Sequence, residues 1–326
     1  MSAYLLTGVA GFIGSRVAEF LLEDGHEVYG VDNMNDAYDV RLKDYRLGKL
    51  LKRERFHFQK LDISEKSIID TLDAWLPEKV AGVINLAAWA GTRLSLSDPW
   101  IYVETNMTGV LNMMELCRKH DIPKFVEASS SSVYGNLGKP PYKETDETDH
   151  PLQPYAATKK GAEALAYAYY HLYGLDVTIL RFFTVYGPAG RPQMVMFRFC
   201  KWITEGEPVV VNGDGEQSRG FTYLDDIARG TILALKPVGY EIINLGGHEV
   251  ITVNEMIKKL EDRIGKPAQI VHTDFHPADV ITNHADISRA REILGGGPHV
   301  SHNKRITHLV DCYMRERHWA SQSEAT

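Results

Sequence analysis

Tyr155 and Lys159 lie one helical turn apart, a spacing that suits proton transfer. On a helix, both side chains would lie on the same face. Pro154, just before them, is compatible with the start of such a helix. A phenol has a reference pKa of about 10 and is a poor base at neutral pH, but a neighbouring ammonium favours its ionised form. The pair therefore predicts a tyrosine that takes a proton from a substrate hydroxyl.

A serine-rich segment lies earlier in the chain, at the end of a predicted strand. Residues 129–132 are all serine and are followed by Val133-Tyr134-Gly135. A hydroxyl at a strand end can hold or relay the proton of a reacting oxygen. A tyrosine and a lysine at this spacing are common by chance on solvated helices, so the serines are what favour a catalytic interpretation.

The amino-terminal segment carries a glycine-rich turn between a predicted strand and a predicted helix, formed by Gly8, Gly11 and Gly14. Without side chains the turn can tighten, a pyrophosphate can approach the backbone amides, and the helix can pack closely. Asp32 ends the second predicted strand. A carboxylate there accepts hydrogen bonds from ribose hydroxyls and repels a 2′-phosphate, which favours NAD over NADP.

These residues require a scaffold that alternates strands and helices. Strand-like runs lie at 4–6, 27–31, 56–59, 80–84, 125–128 and 177–180, with helical stretches such as 65–75, 103–119 and 156–172 between them. The pattern predicts an α/β fold with a Rossmann-type doubly wound parallel sheet. We expect residues 1–185 to form the NAD-binding domain and residues 186–326 a smaller substrate-binding lobe that interleaves with it.

Composition limits the partners. The 326 residues include 36 basic and 43 acidic side chains, so we expect a small-molecule partner and neither nucleic acid nor membrane. Cys117, Cys200 and Cys312 are widely separated, which predicts neither a disulfide framework nor a zinc site and fits a cytoplasmic protein. The spacing of His272 and His276 occurs in some metal sites, but Pro277 argues for a loop, and we expect no metal.

With these motifs in this order, the chain resembles the extended short-chain dehydrogenase/reductase family, in particular its nucleotide-sugar epimerases. The resemblance implies that Ser130, Tyr155 and Lys159 are catalytic, with Tyr155 as the base and Lys159 on the cofactor ribose. It implies tightly bound NAD and inversion of a sugar at C4 through a 4-keto intermediate, with no net redox change. It also implies a homodimer that forms through helices 103–119 and 156–172.

The cofactor is expected to be lined by residues that follow the first four strands, together with two positions later in the chain. Asp62 follows the third strand and residues 86–88 follow the fourth. The complete expected set, besides the glycines, Tyr155 and Lys159, is Phe12, Ile13, Asp32, Asn33, Asn35, Asp62, Ile63, Leu86, Ala87, Ala88, Asn106 and Phe183.

Sequence differences within the family narrow the reaction. Relatives that eliminate water carry an Asp-Glu pair where this chain has Ser131 and Ser132, so a dehydratase is not expected. The stretches 32–40 and 181–192 resemble those typical of UDP-glucuronate 4-epimerases, which interconvert UDP-glucuronate and UDP-galacturonate. The resemblance implies the substrate contacts Ser130, Ser131, Ser132, Thr184, Arg191, Val211, Arg219 and Asp279.

Two alternatives remain open. One is a 4-epimerase of UDP-glucose or UDP-N-acetylglucosamine. The other is a non-catalytic NAD-sensing protein, against which the intact Tyr155 and Lys159 argue. Arg191 can serve the sugar carboxylate or the diphosphate, or simply lie in a surface loop, because its guanidinium suits each of these places.

Overall fold

The computed structural model describes residues 1–138, 140–247, 250–274, 282–295 and 302–323. Its strands are β1 Ala3–Thr7, β2 Glu27–Asp32, β3 Phe56–Lys60, β4 Gly82–Asn85, β5 Lys124–Ser130, β6 Asp176–Phe182, β7 Thr184–Tyr186, β8 Pro208–Asn212, β9 Ser218–Tyr223, β10 Tyr240–Leu245, β11 Val250–Thr252, β12 Gln269–Thr273 and β13 Thr282–Asn283. Its helices are α1 Phe12–Glu23, α2 Val40–Leu50, α3 Ile68–Trp75, α4 Pro99–Val103, α5 Val110–Lys119, α6 Pro154–Tyr173, α7 Val195–Glu205, α8 Leu224–Leu233, α9 Val253–Ile264, α10 Ser288–Leu294 and α11 His302–Ala320.

The main sheet has seven parallel strands in the order β10-β6-β5-β4-β1-β2-β3. The chain first builds outward from β1 through β2 to β3 and then restarts on the other side of β1 with β4. Ligands of such sheets bind at the carboxyl ends of the strands where this order reverses, which here lies between β1 and β4. The predicted Rossmann-type doubly wound sheet is confirmed.

Helices cover both faces of this sheet, which explains why its strands read as continuous apolar runs. The neighbouring residues Leu5 and Leu6 of β1 point to opposite faces, and both are fully buried. Leu6 packs in the cluster that contains residues of α1, α2 and α10, whereas Leu5 packs in the cluster that contains residues of α3, α5 and α6. Each helix therefore needs only one apolar face.

The second lobe has its own core, built from α7, α9, α11 and the strands β8 and β9. A capping box starts α9: the Thr252 hydroxyl accepts from the Glu255 amide, and the Glu255 carboxylate accepts from the Thr252 amide. The seventh strand of the main sheet, β10, comes from beyond residue 185. The chain thus returns from the second lobe to the first, and the division at residue 185 stays a prediction.

Several predicted element boundaries shift by a few residues. The helical segment predicted for 103–119 begins earlier, as α4, and passes through a π-helical turn at Glu104–Gly109 before α5. His272 lies within strand β12, not in a loop. No helix in the described part of the chain is long and apolar enough to cross a membrane.

Candidate active site

The glycine turn connects β1 to α1 and leaves no room for side chains. Gly8 has a φ of +68°, and a Cβ added there would lie 2.7 Å from the amide nitrogen of Ala87. A Cβ on Gly14 would lie 2.2 Å from the carbonyl oxygen of Gly8. The turn itself is closed by a hydrogen bond from the Gly11 amide to the Gly8 carbonyl oxygen, at 2.9 Å. This tight backbone before a helix fits the pyrophosphate of a dinucleotide.

Asp32 lies at the carboxyl end of β2 and faces the same turn. Its carboxylate accepts hydrogen bonds from the amides of Ala10 at 3.1 Å and Met34 at 2.8 Å, and the Lys43 ammonium lies 3.5 Å away. Each carboxylate oxygen can accept more than one hydrogen bond, so these contacts orient Asp32 and still leave capacity for a ribose hydroxyl. The arrangement fits the predicted adenosine end of NAD.

A second polar group follows β3. Asn33 donates to the Asp62 carboxylate at 2.8 Å, while the Asn35 side chain accepts from Lys43 at 2.8 Å. Burial alone would raise the pKa of Asp62, but the hydrogen bonds from Asn33 and Ser64 outweigh it and lower that pKa. Asp62 is therefore held as an anion beside the strand ends.

The loop after β4, which contains Leu86, Ala87 and Ala88, is tied to the glycine turn and to the helices. The Ala87 amide donates to the Thr7 hydroxyl at 3.1 Å. Asn106, in the π-helical turn, exchanges hydrogen bonds with the backbone of Trp89 at 2.9 and 3.0 Å. Asn106 thus stabilises this loop through the backbone of Trp89.

The remaining expected cofactor residues contribute mainly apolar packing. Phe12 is buried in a small cluster with Val185, which Ile13 packs against, so these two residues of α1 offer backbone amides more than side chains. Ile63 and Phe183 are also buried. These roles in cofactor binding stay predictions.

The end of β5 carries the serines into a turn of 3₁₀ helix at Ser131–Tyr134. The Ser130 hydroxyl caps this turn by accepting from the Ser132 amide at 3.2 Å. Ser131 accepts a hydrogen bond from the side chain of Asn283 at 3.2 Å. Asn283 belongs to β13, so a residue from late in the chain contacts the serine cluster.

Tyr155 and Lys159 lie in the first turns of α6, against this strand end. Lys159 is 2% exposed, and its ammonium donates to the Ala128 carbonyl oxygen at 2.6 Å. The Tyr155 ring meets Tyr102 edge-on, with ring centroids 6.1 Å apart. The structure therefore brings Ser130, Tyr155 and Lys159 to the edge of the sheet that also carries the glycine turn.

Tyr102 was not predicted from the sequence, although it lies against Tyr155. Burial raises its pKa to about 12, and the nearby guanidinium of Arg191 partly opposes that rise. Arg191, in the loop after β7, is therefore a charged neighbour of Tyr102. Its guanidinium also contacts the Met194 sulfur at 3.6 Å.

The other expected substrate residues lie in three places. Thr184 begins β7, which pairs with β9, the strand that carries Arg219. Arg219 donates to the Ser218 carbonyl oxygen at 2.8 Å. Val211 is 1% exposed and packs in the core of the second lobe, where only its backbone could serve a ligand. Asp279 lies outside the described residues.

Two buried acids of the site were also missed. Glu163, on α6, forms a buried ion pair with Arg181 of β6, at 2.8 Å. Glu127, inside β5, lies 3.4 Å from the Lys159 ammonium. A charged residue within the apolar run 125–128 is a sequence signal for a buried partner, and it could have identified Glu127.

Known proteins are similar to this chain over most of its length. Residues 4–246 match the family model described as the NAD dependent epimerase/dehydratase family. The chain belongs to this family. A UDP-glucuronate 4-epimerase of Thermodesulfobacterium geofontis is 53% identical over 312 residues, which are 95% of this chain and 96% of that protein.

Solved structures of other family members share the whole fold. The Bacillus cereus UDP-glucuronic acid 4-epimerase, solved with UDP-glucuronic acid and NAD, superposes with a TM-score of 0.90 at 34% identity and covers 96% of this chain and 99% of its own. A Thermotoga maritima UDP-glucose 4-epimerase, solved with UDP-glucose, gives 0.89 at 30% identity, with 97% and 99% covered. The predicted family is confirmed.

Proposed function

We propose that this protein is an NAD-dependent UDP-glucuronate 4-epimerase that interconverts UDP-glucuronate and UDP-galacturonate. The observation that carries the proposal is the meeting of Ser130, Tyr155 and Lys159 at the sheet edge that holds the glycine turn and Asp32. The relative at 53% identity supports UDP-glucuronate as the substrate. The Bacillus cereus protein, solved with NAD, supports the cofactor.

The fit to NAD depends on the residues of the turn and of β2. Gly8 and Gly14 have no room for a Cβ against the neighbouring backbone, so the turn stays tight, and Asp32 at the end of β2 would present its carboxylate to a ribose. When bound, NAD supplies a hydride acceptor and donor beside the sugar C4. Asp32, the glycine turn and Asp62 would hold its adenosine half, and Lys159 the ribose next to the reacting ring.

Tyr155 would take the proton of the sugar O4–H group as the C4–H bond breaks and the C4 carbonyl forms. The ammonium of Lys159 favours the phenolate that this step needs. Ser130 would donate a hydrogen bond to the same oxygen and hold it during the transfer. After the sugar has presented its other face, the C4–H bond would re-form there with the returned hydride and Tyr155 would give the proton back to O4, so that C4 is inverted with no net oxidation.

The 4-keto form of a glucuronate is a β-keto acid, which loses carbon dioxide readily when its C5–carboxylate bond stands perpendicular to the carbonyl plane. Thr184 and the hydroxyls of Ser131 and Ser132 would hold the carboxylate away from that alignment. Asn283, which already donates to Ser131, would fix the orientation of this hydroxyl. Retention of the carboxylate would follow from this positioning.

We also propose a cytoplasmic homodimer. Helices α4 and α6 each expose large apolar side chains: Trp100 of α4 is 75% exposed and Leu172 of α6 is 65% exposed. Tyr167 and Tyr173 of α6 are half exposed nearby in sequence. The expected interface uses helices 103–119 and 156–172, and α6 contains the second of these. A second copy of the chain would cover the exposed side chains of α6. Light scattering of the purified protein would give its mass, and a monomer would contradict this part.

Proton NMR of one mixture of UDP-glucuronate, UDP-glucose and UDP-N-acetylglucosamine tests the activity. We expect UDP-galacturonate to form first and the other two sugars to react slowly. Faster reaction of UDP-glucose would favour the function of the Thermotoga maritima protein. The variant Tyr155→Phe serves as a control, because it should leave all three sugars unchanged.

A further inference from the structure

Glu127 is a charged side chain in the middle of strand β5, all of whose residues are buried, and it is itself fully buried. One carboxylate oxygen accepts from the Asn85 amide at 2.7 Å, and the other lies 3.4 Å from the Lys159 ammonium. A buried charge is costly unless a partner and hydrogen bonds compensate for it. The Lys159 ammonium therefore compensates the charge of Glu127, and the Glu127 carboxylate in turn fixes the position of that ammonium.

Hydrogen bonds connect Glu127 through Asn85 to Thr7, the residue before the glycine turn. The side chain of Asn85 accepts from the Thr7 hydroxyl at 2.6 Å, and that hydroxyl accepts from the Ala87 amide at 3.1 Å. Thr7 immediately precedes Gly8 in the sequence. A shift of Glu127 would therefore displace both Lys159 and the residue that precedes the glycine turn.

The charges around Glu127 come from elements on each side of β5. On α6, Lys159 lowers its pKa and Glu163 raises it, but burial has the larger effect and raises it overall. Glu163 is itself held by Arg181 of β6 through two hydrogen bonds, at 2.9 and 2.8 Å. On the same face of the sheet, α5 contributes the buried Cys117, whose pKa is raised by burial.

We propose that Glu127 is a positioning residue for Lys159 and that its charge limits how strongly the Lys159 ammonium favours the Tyr155 phenolate. The ammonium has two acceptors here, the Glu127 carboxylate and the Ala128 carbonyl, and both belong to β5. These two contacts fix the position of the Lys159 ammonium against β5, and helix α6 sets the spacing between Lys159 and Tyr155. The inference rests on the proposed roles of Tyr155 and Lys159, and not on which sugar is the substrate.

The sign of the effect follows from Coulomb's law. An ionised Glu127 beside Lys159 opposes the positive potential at Tyr155, so removing the negative charge should make the phenolate easier to form. We expect E127Q to lower the pKa of Tyr155 by about one unit. The acid limb of the pH profile of kcat/KM should move down by the same amount. A carboxylate that only filled space in the sheet would change neither.

The pKa of Tyr155 can be measured without turnover. The absorbance of the phenolate is recorded against pH for the NAD-loaded protein, and the same curve for the matching Tyr155→Phe variant is subtracted. The experiment compares the parent, E127Q and E127M. E127M also removes the charge, so the Tyr155 pKa can be compared with the parent even if E127Q does not fold. E127M should in addition weaken NAD binding about tenfold, because Lys159 loses a hydrogen-bond acceptor.

Asp176→Asn is the matched control, because Asp176 pairs with buried Lys124 at the other end of β5. It should reduce stability and leave the pKa of Tyr155 unchanged. A Tyr155 pKa within about 0.2 unit of the parent in E127Q and E127M would overturn the inference. If instead that pKa shifts as expected but UDP-glucuronate is not epimerised, the proposed substrate is wrong and the role of Glu127 stands.

Discussion

The ammonium of Lys159 lies 2.6 Å from the carbonyl oxygen of Ala128, just before the serine cluster. This contact ties helix α6 to the end of strand β5. Tyr155 and Ser130, which come from different parts of the chain, are therefore held in one rigid unit. Precise placement of a base and a hydroxyl around one oxygen is what proton transfer requires.

The first prediction concerns the cofactor. Protein purified without added nucleotide should release NAD or NADH when it is denatured, because each reaction cycle returns the hydride. Asp32→Ala should weaken NAD binding about tenfold or more, since a charge-assisted hydrogen bond to the ribose is lost. Chromatography of the denatured extract and titration calorimetry provide the measurements. The exposed Asp36→Ala is the control, and an extract with NADP alone would contradict the assignment.

The second prediction concerns the base. Tyr155→Phe should lower turnover by about 10² or more, because no proton acceptor replaces the phenol. The phenyl ring keeps the edge-on contact with Tyr102, so the melting temperature should change little. Ser130→Ala should have a smaller effect, since a neighbouring hydroxyl or water can partly substitute. Tyr167→Phe, on the exposed part of α6, is the control, and near-parent activity of Tyr155→Phe would identify another base.

The third prediction concerns the carboxylate of the substrate. Thr184→Val should lower turnover or increase leakage to UDP-4-keto-pentose, because one hydroxyl that restrains the carboxylate is lost. Mass spectrometry of the products would detect the loss of carbon dioxide. Leakage unchanged from the parent, with full turnover, would remove Thr184 from this role.

The fourth prediction separates the two roles of Arg191. Arg191→Ala should weaken UDP-glucuronate more than UDP-glucose if the guanidinium serves the carboxylate, which only the first sugar carries. The electrostatic effect of Arg191 on Tyr102, whose ring contacts Tyr155, favours this end of the substrate. Binding of both sugars to the Tyr155→Phe protein can be measured by calorimetry. Equal weakening would place Arg191 on the diphosphate.

The fifth prediction concerns stability. Arg181 and Glu163 are each 2% exposed and form a bidentate pair, so Arg181→Met would leave a buried carboxylate without its partner. The free energy of unfolding should fall by about 3–5 kcal/mol. Urea unfolding measures this change. Arg118→Met, which breaks an exposed pair with Glu115, should have little effect.

The sequence alone determined the local parts of this site. Glycines at a strand–helix junction, an acid at the end of β2, and a tyrosine and lysine one helical turn apart each carry their chemistry in residue type and short spacing. The alternation of apolar runs and helical stretches likewise determined the parallel sheet, because local periodicity reports which faces are buried.

The tertiary structure determined which residues from distant parts of the chain contact one another. Tyr102 against Tyr155, Asn283 on Ser131, and Glu127 beneath Lys159 join residues far apart in the chain. The seventh strand, β10, joins the sheet only after the chain has built part of the second lobe. No short-range pattern encodes such pairs, since they depend on the order of strands in the sheet and on which helix covers which face.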